Sequence, residues 1–196
     1  KETLQKNKSK IIELSKINSA YHKKSKKYLC AYDQIDNDIY SLVCNYYDNN
    51  KIYKYSKNLT QKYFKKFSSK AGKENVRFIS GITPEGVVFF EDTLEILADK
   101  TIIIEDEYGM VGNTILSIIR DDAINSGFDL FSCYCPTKPN SKLETIIIPE
   151  LRLAFTVSNN YHNIKNLKDT QVIHSKRFLN TSSDEIRKQR IGFDNK

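Results

Sequence analysis

Hydrophobic residues recur at three- and four-residue steps along the start of the chain, with a single polar step. The series comprises Leu14, Ile17, Tyr21, Tyr28, Tyr32, Ile35, Ile39, Leu42 and Tyr46. This spacing predicts one long amphipathic helix with a narrow, coiled-coil-like hydrophobic face. Turn residues at 48–50 are expected to end it, and a second helix should run from Ile52 to Phe67 with Gly72 as its stop. Together the two helices predict an antiparallel helical hairpin over residues 1–74.

From residue 75 onward, short apolar runs alternate with amphipathic stretches. The strands predicted from these runs are 76–80, 101–105, 128–134, 151–157 and 171–174. Helices are expected over 91–99 and 113–126, and Gly127 follows the second as its C′ residue. A last helix should begin at the capping box that starts with Ser182. The alternation predicts an α/β domain over residues 75–196, with a mostly parallel sheet flanked by helices.

The segment EDEYGMVGNTI joins a predicted buried strand to a helix, which is where P-loop proteins place their phosphate-binding loop. In the pattern GxxxxGK[ST] the lysine reaches the phosphates and the hydroxyl holds magnesium. Here Glu107 replaces the first glycine and Asn113 replaces the lysine, whereas Gly112 and Thr114 remain. Gly109, Gly112, Asn113 and Thr114 are therefore candidate residues of a degenerate phosphate loop. Glu107 and Thr114 are candidate magnesium ligands.

The charges at this loop oppose a nucleotide, because Glu105, Asp106 and Glu107 crowd the turn. A carboxylate about 5 Å from a phosphate costs about 3 kcal/mol at an effective dielectric constant near 20, and losing the lysine removes an attraction of the same order. Together these effects weaken binding by a factor of about ten thousand. ATP or GTP should therefore bind weakly at best, unless magnesium reverses the local charge.

Charge is distributed unevenly along the chain, whose total is +7. Residues 1–70 contain 16 lysines and 6 acidic residues, a net charge of +10, whereas the remainder has 15 basic and 18 acidic residues, a net charge of −3. Lysine-rich helices with interleaved aromatic residues suit a nucleic-acid backbone. The tyrosines, however, fall on the predicted packing face, and residues 1–70 contain no arginine. We therefore favour an interdomain or partner-docking arm, with nucleic-acid binding as an alternative.

The remaining composition indicates a cytoplasmic protein. Its 4 cysteines form no CxxC pair and are too few for a disulfide scaffold, so we expect reduced thiols. Cys133 and Cys135 would share one face of a strand, an arrangement more typical of buried side chains than of a metal site. No apolar run approaches the length of a membrane span, so no membrane partner is expected. The first residue is Lys1, which suggests a piece of a longer protein.

Three segments of the chain carry a resemblance in their order and spacing. They are RFISGITPEGVVFFEDTLEIL, the loop described above, and YCPTKPNSKLETIIIPELRLAFTVSNNYH. The matching positions are Thr83, Pro84, Gly86, Gly112, Thr114, Cys135, Pro139, Ser141, Leu143, Ile147, Ile148, Pro149, Glu150, Leu151 and His162. Over residues 76–165 the chain resembles the second half of a bacterial family of uncharacterised ATPase-like proteins with two P-loop NTPase domains per chain. The resemblance implies that a helical segment joins the two halves.

Departures from the family pattern determine the predicted function. The family's loop lysine is Asn113, its first glycine is Glu107, and the aspartate after its last strand is Val157. Parallel losses of this kind imply little or no nucleotide hydrolysis and a structural or regulatory role in a larger two-domain protein. The implied partner is a second P-loop domain of the same protein, or a further copy in a homo-oligomer. The alternatives are a working ATP- or GTP-binding NTPase or kinase-like enzyme and a nucleic-acid-binding module.

No residue emerges as catalytic. His162 follows a predicted strand end, where the active sites of open α/β sheets gather. A lone loop histidine is more often a hydrogen-bonding surface residue than a base, and we adopt that interpretation. His22 and His174 have no constellation around them, and the chain contains neither a G-x-S-x-G elbow nor a cysteine placed with a base.

Overall fold

The computed structural model describes residues 5–65, 68–160, 162–164 and 167–180. The chain divides into two compact units, Lys1–Asp38 and Ile39–Lys196. This division falls inside the segment 1–74 that the sequence assigned to a helical hairpin. The last helix predicted from Ser182 lies outside the described residues.

Helix α1, Lys8–Val43, contains 36 residues and provides the first unit. It contains neither glycine nor proline, and its lysines, leucines and alanines favour helix over other conformations. Within residues 5–38 the hydrophobic face predicted from the sequence is exposed except at Tyr32, which is half-buried. Val43 at the end of the helix is buried in the core of the second unit. One long helix is thus confirmed, and its antiparallel packing in a hairpin stays a prediction.

Helix α2, Asn49–Tyr63, begins at Asp48, whose carboxylate accepts a hydrogen bond from the Lys51 N–H at 3.0 Å. It packs on the α/β part of the second unit, where Asp122 accepts from Thr60 Oγ1 at 2.7 Å and from Lys57 Nζ at 2.7 Å. The predicted stop at Gly72 is wrong, because the helix ends at Tyr63. Gly72 instead allows its segment to pass close to the backbone of Phe128, since an added Cβ would lie 1.9 Å from the Phe128 carbonyl oxygen.

Among the described residues, six strands form the main sheet, in the order β1-β5-β6-β7-β4-β8, and β2 and β3 form a separate hairpin. The strands are β1 Glu74–Arg77, β2 Ser80–Thr83, β3 Gly86–Phe89, β4 Lys100–Glu105, β5 Leu130–Tyr134, β6 Leu143–Ile148, β7 Leu153–Ser158 and β8 Thr170–His174. All neighbours in the main sheet pair in parallel except β6, which is antiparallel to both β5 and β7. The prediction of a mostly parallel sheet is therefore confirmed.

Two helices of this unit follow the predicted alternation with strands. Helix α3 is Glu91–Leu97 and helix α4 is Met110–Asn125. Gly127 after α4 has φ +91°, and its N–H donates to the Ile124 carbonyl at 3.0 Å, which confirms its predicted role at the helix end.

Hydrophobic packing covers both faces of the sheet, as the apolar run of β4 predicted. Ile102, Ile103 and Ile104 are all buried in β4. The larger core contains residues of α2 and α4 on one face, and a smaller cluster contains Leu94 of α3 with Ile79. No helix among the described residues is both long and apolar enough to cross a membrane.

Candidate functional site

The carboxyl ends of three parallel strands, β4, β7 and β8, meet at one edge of the sheet. A cleft of about 330 Å³ lies there, and we call it the carboxyl-edge cleft. Its carboxylate and amide lining comes from Glu105, Asp106, Glu107, Asn159, Asn160 and Asn163. Open α/β sheets bind their ligands at this edge, so the cleft is the candidate site.

The loop of residues 106–114 joins β4 to α4 and borders the cleft. Gly109 immediately precedes α4 with φ +75°, a left-handed conformation that disfavours other residues. The chain then turns back so that the Asp106 side chain lies beneath the first turn of the helix. Asp106 Oδ2 accepts from the Gly112 N–H at 2.7 Å, and Oδ1 accepts a longer bond from the Tyr108 N–H at 3.4 Å.

Asp106 therefore occupies the position that an anion bound at this helix N-terminus would take. Its residue surface is only 1% exposed. Burial raises the pKa of Asp106, while the N–H donors of Gly112, Tyr108 and Gly109 and the charge of Lys142 act in the opposite direction. The protein's own carboxyl group thus satisfies backbone donors that a P-loop would offer to phosphate.

The other predicted loop residues make contacts within the fold. An added Cβ on Gly112 would lie 2.5 Å from Val157 Cγ2, so this glycine permits close packing of α4 on β7. Asn113 Oδ1 accepts from the Leu143 N–H at 2.9 Å and so ties α4 to the start of β6. Thr114 Oγ1 donates to the Met110 carbonyl at 2.9 Å, one turn back in its own helix.

Of the two predicted magnesium ligands, only Glu107 lines the cleft, where its side chain is exposed. Thr114 already donates its hydroxyl hydrogen inside α4. Within the described part of the chain, no group of three or more His, Cys, Asp or Glu side chains is placed to hold a metal ion. Cys135 Sγ lies 3.1 Å from Thr137 Oγ1, whereas Cys133 is buried.

Lys142 is a loop neighbour that sequence reasoning missed. It immediately precedes β6, and its Nζ would lie 2.8 Å from a Cβ built on Gly109. A cation is thus supplied beside the loop from another element, although not at the helix position where a P-loop carries its lysine. No local pattern indicates this proximity, because β6 brings Lys142 to the loop from 33 residues along the chain.

A Glu–His pair forms one wall of the cleft. Glu105 and His174 are register partners at the ends of β4 and β8, and His174 Nδ1 lies 2.6 Å from Glu105 Oε2. Both side chains are exposed. The sequence around His174 does not indicate this pair, because the pairing of β4 with β8 that creates it is not visible from residue spacing.

A second polar cluster lies inside the fold and joins the β2–β3 hairpin to the main sheet. Ser80 Oγ donates a hydrogen bond to Glu144 Oε2, and His162 Nε2 lies 3.7 Å from Glu144 Oε1. Burial raises the pKa of Glu144, against the effects of the Ser80 hydroxyl and the nearby His162. The ring of His162 stacks on Phe89 with a centroid distance of 5.1 Å.

The predicted surface role of His162 is wrong, because its side chain is only 7% exposed. Its Nε2 also lies 2.8 Å from the Val157 carbonyl oxygen, which makes this nitrogen the donor of that bond. Ser80 donates to the carboxyl group and not to the imidazole, so the three residues do not form a Ser–His–acid triad. The cluster holds together the β2–β3 hairpin, β6 and the stretch after β7.

Comparison of this chain with protein-family models, curated proteins and solved structures gave no match. The geometry of the cleft and its loop is therefore the basis for assigning a function.

Proposed function

We propose that residues 74–180 form an α/β domain of P-loop type whose phosphate loop has lost nucleotide hydrolysis, and that the domain has a structural or regulatory role in a larger two-domain protein. The observation that carries this proposal is the position of Asp106. Its buried carboxyl group accepts the Gly112 N–H at 2.7 Å, at the helix end where a nucleotide phosphate would bind.

Electrostatics at the cleft support the same conclusion. Glu105 and Glu107 line the cleft together with Asp106, whereas the cations are Lys176 in the cleft lining and Lys142 beside Gly109. Each ionised carboxylate about 5 Å from a phosphate costs about 3 kcal/mol at an effective dielectric constant near 20. Since two lysines offset about two such repulsions, a triphosphate would meet a net unfavourable field when all three carboxylates are ionised.

The hydrogen bonds of Asn113 and Thr114 within the fold also support the proposed loss of nucleotide hydrolysis. Asn113 anchors the start of β6, and Thr114 closes a bond within α4. These residues stabilise the strand–loop–helix frame without contributing to a phosphate site. A strand–loop–helix segment whose polar residues make only structural hydrogen bonds fits a domain that positions partners or transmits a conformational state.

Calorimetric titration with ATP and GTP, each with and without magnesium, tests the proposal. The wild-type chain should give no heat of binding. The double variant Asp106→Ser, Asn113→Lys removes the internal carboxylate and restores the lysine, so it should bind Mg-ATP. Asn125→Lys, which adds the same charge at the far end of α4, is the matched control and should stay silent. Micromolar binding by the wild type, unaffected by Asp106→Ser, would refute the proposal.

The cleft itself favours a second candidate function, the binding of a small hydroxyl- or ammonium-bearing ligand. Its 330 Å³ suit a molecule of sugar size, and carboxylates with amides are the groups that hydrogen-bond such ligands. Saturation-transfer NMR with monosaccharides and short polyamines tests this candidate. Asn160→Ala should weaken any signal, whereas Glu150→Gln, outside the cleft lining, should not. The absence of any signal across both ligand classes would remove the candidate.

A further inference from the structure

Helix α1 presents a seven-residue repeat of exposed apolar side chains within residues 5–38. Leu14, Tyr21, Tyr28 and Ile35 are 56%, 68%, 67% and 53% exposed and follow one another at intervals of seven. Ile11, Asn18, Ser25 and Tyr32 form the companion series, also at intervals of seven. We call these eight residues the heptad seam. Along the chain the two series alternate at steps of three and four residues. The series that starts at Ile11 therefore occupies the a positions of a coiled coil, and the series that starts at Leu14 occupies the d positions.

The repeat is a coiled-coil pattern and not merely an amphipathic one. A straight helix drifts by about 20° per heptad relative to an exact seven-residue repeat, so a face held over several heptads favours supercoiling around another helix. Asn18 and Ser25 place polar side chains at two a positions. Polar residues there reduce stability and fix register and partner orientation.

Charge along α1 identifies the orientation of the second helix. Eight lysines and a single acidic residue, Glu13, lie between residues 5 and 27, whereas three aspartates and no lysine lie between residues 28 and 38. A parallel pair of such helices would place the basic part against itself. An antiparallel pair places the basic part of each helix against the acidic part of the other, which is favourable.

We propose that α1 pairs with α1 of a second copy of this chain in an antiparallel coiled coil centred on residue 23. In antiparallel coiled coils each a position faces a d position of the other helix. This centre gives the layers Ile11 with Ile35, Leu14 with Tyr32, Asn18 with Tyr28, and Tyr21 with Ser25 of the second copy. The apolar side chains meet at the two ends, and the polar side chains meet hydrogen-bonding tyrosines near the middle.

The charged residues beside the heptad seam are also consistent with an antiparallel pair centred on residue 23. In this arrangement Lys10 of one copy lies beside Asp38 of the other, and the two-fold symmetry repeats the pair. The one unfavourable flanking contact is Lys24 with Lys24 of the second copy, next to the two-fold axis. This contact limits the affinity and distinguishes the proposed register from any association driven by composition alone.

Sedimentation equilibrium of the whole chain over a wide concentration range tests the proposal. A reversible monomer–dimer equilibrium is expected. Leu14→Ser removes a seam residue from both helices and should raise the dissociation constant by at least about tenfold. Ile12→Ser is the matched control, because Ile12 is 46% exposed on the same helix but lies off the seam. A monomer at every concentration, or equal effects of both variants, would overturn the proposal.

The central lysines test the register. Lys24→Ala should tighten the dimer by several-fold, because it removes the repulsion across the two-fold axis. Lys23→Ala removes the same charge from an outward-facing position and should change the affinity much less. If both variants tighten association equally, net charge and not this register governs it, and the proposed alignment is wrong.

Cross-linking tests the orientation. In a Cys30→Ser background, Lys10→Cys chains mixed with Asp38→Cys chains should form heterodimers with a short bismaleimide. Cross-linking of Lys10→Cys chains to each other instead would show a parallel pair and overturn the proposal. Anionic vesicles and duplex DNA are included as competitors. Dissociation of the dimer with capture of the helix by either, insensitive to Leu14→Ser, would assign α1 to that other partner.

Discussion

Replacing Asp106 with alanine is the most direct perturbation of the loop that joins β4 to α4. The structure places the Asp106 carboxyl group 2.7 Å from the Gly112 nitrogen, with the side chain almost fully enclosed. Alanine leaves this N–H without its acceptor inside the protein. An unsatisfied buried donor costs about 1–3 kcal/mol, so we expect the free energy of unfolding to fall by about 2 kcal/mol.

The effect should also depend on pH, with a sign fixed by the pKa shift of Asp106. Burial raises its pKa above the unperturbed value of 3.8. The folded state therefore holds this proton more tightly than the unfolded state, and the contribution of Asp106 to stability is fully present below 3.8 and is lost as pH rises through the raised value. The loss of stability caused by Asp106→Ala should accordingly be larger at about pH 4 than at about pH 8.

Urea denaturation followed by near-ultraviolet circular dichroism measures this prediction, because the signal comes from packed aromatic side chains and the chain has no tryptophan. Asp106→Asn retains an acceptor of the same size and should lose less stability. Glu107→Ala removes the neighbouring exposed carboxylate and should stay within about 0.5 kcal/mol of the wild type. A loss below about 0.5 kcal/mol for Asp106→Ala would refute the assigned role of this carboxyl group.

Three further predictions concern other buried contacts. Gly112→Ala should destabilise by about 1–3 kcal/mol in urea melts, since its Cβ would lie 2.5 Å from Val157 Cγ2; an unchanged midpoint would contradict the close packing. Glu144→Gln should flatten the decline in stability as pH rises above 4.5, because burial raises the pKa of Glu144; a slope equal to the wild type's would count against this. Burial and the charge of Glu144 raise the pKa of Cys133 to about 12, so iodoacetamide should alkylate exposed Cys30 before Cys133. Peptide mass spectrometry measures the two alkylation rates, and equal rates would contradict the prediction.

Some features of the fold follow from local sequence. The apolar run of β4 and the periodicity of α4 predict a buried strand and an amphipathic helix, because side-chain spacing of two or 3.6 residues determines which faces are hydrophobic. Gly127 marks the end of α4, since a left-handed residue is needed there. The α/β class with a mostly parallel sheet and a long N-terminal helix could therefore be predicted without tertiary information, whereas the P-loop identity and the helical hairpin stay predictions.

Other elements could not be predicted in this way. The strand β6 is not among those that the sequence predicts, and nothing local shows that it is antiparallel to both of its neighbours. The hairpin β2–β3 was missed, although its turn contains Gly86 at φ +119°. Gly72 looked like a helix stop because glycine commonly ends helices, but its contact with the backbone of Phe128 is long-range.

The features of the candidate site can likewise be separated into those that local sequence determines and those that the tertiary structure determines. The sequence by itself determined that an acidic, glycine-containing turn without a lysine lies between a buried strand and a helix, because these are local properties. Only the tertiary structure decided that Asp106 fills the helix end, that Lys142 lies beside Gly109, and that Glu105 meets His174. Those contacts depend on strand order and register, which arise from the competition of all apolar faces for one core and are not encoded in any single segment.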